Sequence, residues 1–212
     1  MIRYIAKPPH IIREKFPGFI WESPEGIIFT IDDGPSVELT NMLLKKFSDH
    51  KIKAMFFLLG KRVRVNPSLV KEIYSEGHLV CNHTFNHLAL PLLSVEEAEK
   101  EIRRTDNLIE SIISVKPSFF RPPYGLFDIR TPKILKKCEL KNVMWSLLSL
   151  DYRGNINQVK KVISSYLRSN SIIVFHDNAK SAKILEEAID FTLEIILKSN
   201  FIIGDPGKCF LK

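Results

Sequence analysis

The chain has 212 residues, 45% of them apolar and 26% charged, enough to build one domain around a large core. Its nine glycines and twelve prolines fall below the level of low-complexity disorder, and its longest apolar run, Ala54 to Leu59, is six residues long, where a membrane-spanning helix needs about twenty. A formal charge of +7 favours anionic partners, but the basic doublets at Lys45-Lys46, Arg103-Arg104, Lys136-Lys137 and Lys160-Lys161 fall on predicted helices, so no nucleic-acid partner is expected.

Residues 1–26 carry Pro8, Pro9, Pro17 and Pro24 and are expected to pack on a barrel end or plug a seam, apart from a main domain at 27–212. They contain no apolar stretch of secretory-signal length, which predicts a cytoplasmic protein. Membrane contact through Ile11, Ile12, Phe16, Phe19 and Trp21 is the minor alternative. From residue 27 onward short apolar runs alternate with amphipathic stretches, the pattern of a parallel sheet or barrel wrapped by helices. Strands are predicted at Ile27–Ile31, Ala54–Leu59, Leu79–Asn82, Ser118–Phe120, Asn142–Leu147, Ile172–Phe175 and Phe201–Ile203. Asn66-Pro67 opens a helix that Gly77 closes, and Ser94 with Glu97 forms a capping box for another. In that second helix Ala98, Ile102, Thr105, Ile109 and Ile112 make one apolar stripe, with Glu101, Arg104 and Glu110 expected to face water. Cys81, Cys138 and Cys209 are odd in number and widely spaced, which fits reduced thiols better than disulfides.

Five polar clusters each follow an apolar strand, where α/β folds place their sites: Thr30 to Pro35, His83 to His87, Arg121 to Gly125, Asp151, and His176-Asp177. The spacing of His83 and His87 would put two imidazoles on one face of a helical turn, close enough to share a metal ion. Asp33 or Asp32 could supply a third ligand, leaving open positions for water and substrate. Taken singly, each feature has an ordinary reading as turn chemistry, surface histidine or surface arginine. Together they gain meaning: one aspartate can ligate while its neighbour stays free as a base, and Arg121 can orient that free carboxylate. Asp151 could hold His176 protonated as a general acid.

In this order the clusters resemble the polysaccharide deacetylases of the nodulation-protein homology domain, the family 4 carbohydrate esterases, over residues 27 to 204. Thr30-Ile31-Asp32-Asp33-Gly34-Pro35 resembles T-F-D-D-G-P, which implies that Asp32 is the catalytic base and Asp33 a metal ligand. His83-Thr84-Phe85-Asn86-His87 matches H-[ST]-x-x-H, implying the two histidine ligands. Arg121-Pro122-Pro123-Tyr124-Gly125 is similar to R-x-P-Y, which implies that Arg121 steadies the base and that Tyr124, through its backbone N–H, and Pro123 belong to the substrate and oxyanion side. Leu148-Ser149-Leu150-Asp151-Tyr152 keeps the second aspartate of D-x-x-D-W but loses the first and has tyrosine for tryptophan. Val174-Phe175-His176 is similar to L-x-H, implying His176 as the acid and Val174 as a wall of the acetyl pocket. The fold implied is a distorted seven-stranded (β/α) barrel.

The resemblance implies a metal-dependent deacetylase acting on N-acetylated amino sugars, with zinc as the first choice of ion and cobalt, nickel or manganese as alternatives. Other readings are cleavage of an O-acetyl ester, a formamide or a cyclic amide, and a catalytically silent glycan-binding module.

Overall fold

The structure, a computed structural model, describes residues 6–211, so the first five residues of the N-terminal segment lie outside it. Seven parallel strands are β1 (Ile28–Asp33), β2 (Met55–Leu58), β3 (Leu79–Asn82), β4 (Phe119–Phe120), β5 (Lys141–Asn142), β6 (Leu147–Leu148) and β7 (Ile172–His176). Helices are α1 (His10–Lys15), α2 (Val37–Asp49), α3 (Gly60–Val65), α4 (Pro67–Ser75), α5 (Val95–Ile113), α6 (Thr131–Cys138), α7 (Ile156–Tyr166), α8 (Leu185–Lys198) and α9 (Pro206–Phe210). The strand order is β5-β4-β3-β2-β1-β7-β6.

That order forces the sheet to curl. β5 and β6 sit at opposite edges, and laid flat they would be about 29 Å apart at the usual strand spacing. Yet the chain passes from Asn142 to Leu147, a stretch that reaches at most about 18 Å. The sheet therefore closes toward itself as a half-barrel with a seam between β5 and β6. Residues 6–20 cross the seam: the Ala6 carbonyl accepts from Leu148 N at 2.8 Å, and Ile20 forms a parallel bridge to Val143.

β1 is buried at every position, because β2 and β7 flank it and apolar layers cover both faces. Ser94 and Glu97 form the capping box of α5, which buries Ala98, Ile102, Thr105 and Ile109. All three cysteines are free, with Cys81 and Cys138 buried.

Two predicted strands differ from the structure. Asn142–Leu147 is not one strand: its residues serve both edges, and the stretch between them spans the seam. Phe201–Ile203 is reduced to a single bridge from Ile203 to Ile27, because β1 is already paired on both sides. Phe19 and Trp21 are buried, which removes them from any membrane-facing surface, whereas Ile11 is 63% exposed. Among the described residues no helix is long and apolar enough to cross a membrane.

Candidate active site

All five polar clusters converge at the carboxyl ends of the strands. Among the described residues nine non-glycine positions have positive φ, and five of them (Asp33, Thr84, His87, Tyr124 and Leu150) lie in or beside these clusters. Such backbone strain collects where a site dictates the conformation. Between the clusters lies a cavity of about 460 Å³, lined among others by Asp32, Asp33, His83, His87, Tyr124, Trp145, Tyr152 and His176.

Asp33, His83 and His87 each offer a ligand atom, all within 4.8 Å of one another. Asp33 Oδ1 is 3.8 Å from His83 Nε2 and 3.3 Å from His87 Nε2. Ligands about 2.1 Å from a tetrahedral cation would be about 3.4 Å apart, so the spacing fits a shared ion. The tautomer fits too. His83 Nδ1 lies 2.7 Å from the Arg121 carbonyl, which can only accept, so Nδ1 carries the proton and Nε2 presents its lone pair. Burial, followed by the field of His83, pushes the His87 pKa down to about 4, leaving a neutral imidazole of the kind that ligates. Burial alone would raise the Asp33 pKa, but His176, His83, His87 and a hydrogen bond from Asn178 Nδ2 at 2.6 Å hold it below the usual carboxylate value.

The local conformation behind this triad differs from the expected helical turn. Residues 83–87 form a loop in which Thr84 and His87 both have positive φ, and chain reversal rather than helical pitch brings the rings to 5.1 Å. The loop is pinned from outside. Asn82 Oδ1 accepts from Thr84 N, and Glu101 accepts from both Asn86 N and Asn86 Nδ2, each at 2.7 Å. Glu101, expected to face only water, thus ties α5 to the candidate ligand loop.

Asp32 points to a different partner. Its Oδ1 accepts from Arg121 Nη1 at 2.7 Å, and Asp32 is 4% exposed. Arg121 is fully buried, donating from Nη1 also to Thr30 Oγ1, from Nε to the Val143 carbonyl and from Nη2 to the Met144 carbonyl. One guanidinium therefore binds the Asp32 carboxylate and closes the half-barrel seam.

Behind the cavity Asp151, fully buried, accepts from His176 Nδ1 and His176 N at 2.8 Å each and from Ser149 Oγ at 2.7 Å. Burial would lower the His176 pKa, but the Asp151 carboxylate, through charge and hydrogen bond, and then Asp33 and Asp32 push it up to about 9. Asp151 itself is held below its usual value: burial opposes ionisation, and His176 and Ser149 outweigh it.

Tyr124 lies against His87, with ring centroids 4.4 Å apart, and Trp145 sits so close to Gly125 that a Cβ there would fall 2.2 Å from Cη2. Pro123 and Val174 are buried and do not line the cavity, whose apolar wall is instead Leu59, Trp145, Leu148 and Tyr152.

Two supporting residues had no role in the sequence reading. Asn178, two residues past His176, bonds Asp33. Asp177, fully buried, accepts from Ser36 N at 3.1 Å and Thr40 Oγ1 at 2.5 Å, and its own N–H donates to the Asp32 carbonyl, bracing the turn after β1. A polar run directly after a buried strand was the available signal.

The family model described as polysaccharide deacetylase matches residues 22–143, more than half of the chain. The chain belongs to the polysaccharide deacetylase family. Within this family it is 35% identical over 128 residues to a Bacillus cereus peptidoglycan-N-acetylglucosamine deacetylase, covering 60% of this chain and 46% of that protein. A second Bacillus cereus protein of the same name is 34% identical over 182 residues, covering 79% of this chain and 84% of its own length. The chain thus spans less than half of one relative and most of the other. A crystal structure of a peptidoglycan N-acetylglucosamine deacetylase in complex with 4-naphthalen-1-yl-N-oxidanyl-benzamide superposes with a TM-score of 0.88 at 26% identity, covering 97% of this chain and 98% of that one.

Proposed function

We propose that this polysaccharide deacetylase hydrolyses the N-acetyl group of an amino sugar within a glycan, releasing acetate and leaving a free amine. One observation carries the reading: Asp32 on Arg121, the Asp33–His83–His87 triad and His176 on Asp151 all meet around one cavity. The names of the relatives support amide rather than ester cleavage.

Asp33, His83 and His87 would hold the ion, with zinc the first choice for two imidazoles and a carboxylate. When bound, a divalent cation supplies polarisation of the acyl carbonyl and a lower pKa for water. The remaining work belongs to the chain. Asp32, kept out of the triad and oriented by Arg121, accepts the proton of the attacking water. The Tyr124 N–H steadies the oxyanion as the acyl carbon becomes tetrahedral, a type of contact whose loss costs about 3–4 kcal/mol. His176, held protonated by Asp151, gives its proton to the departing nitrogen, so that the leaving group is a neutral amine. Leu59, Trp145, Leu148 and Tyr152 offer apolar surface to the acetyl methyl and the sugar face.

The test is acetate release from N-acetylglucosamine oligosaccharides, acetylated xylan and small amides, coupled to elemental analysis of the purified protein. Release from the amino sugars by protein holding about one divalent ion per chain is the expected result. Release from xylan alone replaces amide with ester chemistry, and no release from any substrate overturns the reading.

A further inference from the structure

The cavity carries more positive charge than N-deacetylation uses. Besides the groups already assigned, its lining includes Lys61, Arg62 and Lys180. Among the described residues none of the three forms an ion pair with a carboxylate. The two acidic groups of the lining are engaged elsewhere, Asp32 by Arg121 and Asp33 by Asn178 and the imidazoles. Arg62 is anchored by donating from Nη1 to the Asp177 carbonyl at 2.7 Å, whereas Lys61 reaches only the Asn86 carbonyl at 3.5 Å, and Lys180 is exposed.

Arg62 belongs to the last turn of the six-residue α3 and braces the Asp177 carbonyl, which gives it a structural role, whereas Lys61, the second residue of that helix, and Lys180 have no such anchor among the described residues. The backbone at Gly60 and Lys61 is tied to the candidate ligand loop by donation to the Thr84 and Phe85 carbonyls at 3.0 Å each. After β7, Lys180 N donates to Asn178 Oδ1 at 2.9 Å, while Asn178 Nδ2 holds Asp33. Lys61 and Lys180 are therefore fixed at their bases to the two supports of the triad, and both residues line the one cavity. An uncharged acetamido sugar presents only hydroxyl and amide groups to them, whereas an anionic substituent meets charge-assisted donors and a focused positive field.

We propose that Lys61 and Lys180 form a subsite for an anionic substituent, a carboxylate or a phosphate, on the glycan whose N-acetyl group enters the cavity. The subsite selects acidic glycans over neutral ones by tightening binding, with Arg62 adding to the field behind it. The inference rests on the deacetylase reading for the identity of the glycan.

The experiment is calorimetric binding, which needs no turnover. The probes are an N-acetylglucosamine oligosaccharide carrying a 3-O-lactyl carboxylate, its methyl ester, and a 6-phosphorylated oligosaccharide of the same length. At low salt the free acid should bind roughly fivefold more tightly than the ester. The ratio should fall to about one at high salt and in the Lys61→Gln/Lys180→Gln double variant, and below one in Lys180→Glu. Tighter binding of the phosphate probe than of the carboxylate identifies a phosphorylated glycan as the source, and the converse ratio a carboxylated one. Equal binding of acid and ester to the unaltered protein, or a ratio that survives the double substitution, overturns the subsite. Should a charge preference persist while no probe releases acetate, the deacetylase reading falls and the anion subsite stands.

Discussion

Asp32 on β1 and His176 on β7 are register partners in adjacent parallel strands. The candidate base and the candidate acid thus flank the cavity one strand spacing apart, each held by its own buried counter-ion, Arg121 for Asp32 and Asp151 for His176. In the proposed reaction these two ion pairs of opposite polarity orient the carboxylate that takes a proton and the imidazole that gives one.

Asp32→Asn should retain the metal and lose turnover by about 10²-fold or more, the usual scale for removing a general base. His83→Ala should lose both. Metal content and acetate release measured on the same samples check this, and an Asp32→Asn rate within twofold of the parent would remove the base.

With its pKa raised from 6.5 to about 9, His176 is charged at neutral pH. The stabilisation from its pair with Asp151 is fully present below about 6.5 and is lost as pH rises through about 9. The rate should share that alkaline limb, somewhat lower in metal-loaded protein because the ion cancels the Asp33 contribution. Asp151→Asn removes the leading cause that raises the pKa, so the kcat profile should shift its alkaline limb to near or below 6.5. An unmoved limb assigns the acid elsewhere.

Arg121→Met leaves the Asp32 carboxylate and the Val143 and Met144 carbonyls without their buried donors. Breaking a buried ion pair in this way costs about 3–5 kcal/mol, and urea unfolding should show a loss of that order. Arg121→Lys keeps the charge but not the planar fork and should recover only part of it.

Asp106 on α5 is 2% exposed, accepts from Asn82 Nδ2 at 2.7 Å, and has its pKa raised by burial to about 6. Its favourable state is the neutral one, so the associated stability is present below 3.8 and lost as pH rises through about 6. Asp106→Asn should therefore stabilise the fold at pH 7, by up to about 3 kcal/mol, with little gain in acid. Urea unfolding at both pH values is the check; a variant less stable at pH 7 shows that the charged form is paired after all.

Chelation should lower Tm and restoring the ion should raise it, because a ligand that binds only the folded state stabilises it by mass action. The shift should vanish in His87→Ala. Thermal unfolding with and without added divalent ions measures it, and a parent protein whose Tm ignores chelator has no tight site.

Much of the site was legible because strand ends announce themselves: an apolar run that stops on a polar residue places that residue at the rim of the sheet. His83, His87 and one of the two adjacent aspartates could be grouped on chemical type alone, and the capping box at Ser94 and Glu97 is a local signal that the structure keeps. The division of labour between the two aspartates was not legible from the residues themselves. Neighbouring side chains of a strand point to opposite faces, and only the positive φ at Asp33 and the arrival of Arg121 from 89 residues away decide which aspartate meets the imidazoles and which the guanidinium.

The sequence by itself determined the strands at β1 to β4 and β7, the capped start of α5 and the order in which the reactive side chains follow the strands, because periodicity, caps and turn residues act over a few positions. Tertiary structure alone decided that residues 142–147 divide between two edges, that the His83–His87 stretch is a loop, and that Asp177, Asn178 and Glu101 brace the site. These outcomes depend on sheet register and on the curling that brings distant edges together. They are set by contacts between residues far apart in the chain, which no local pattern encodes.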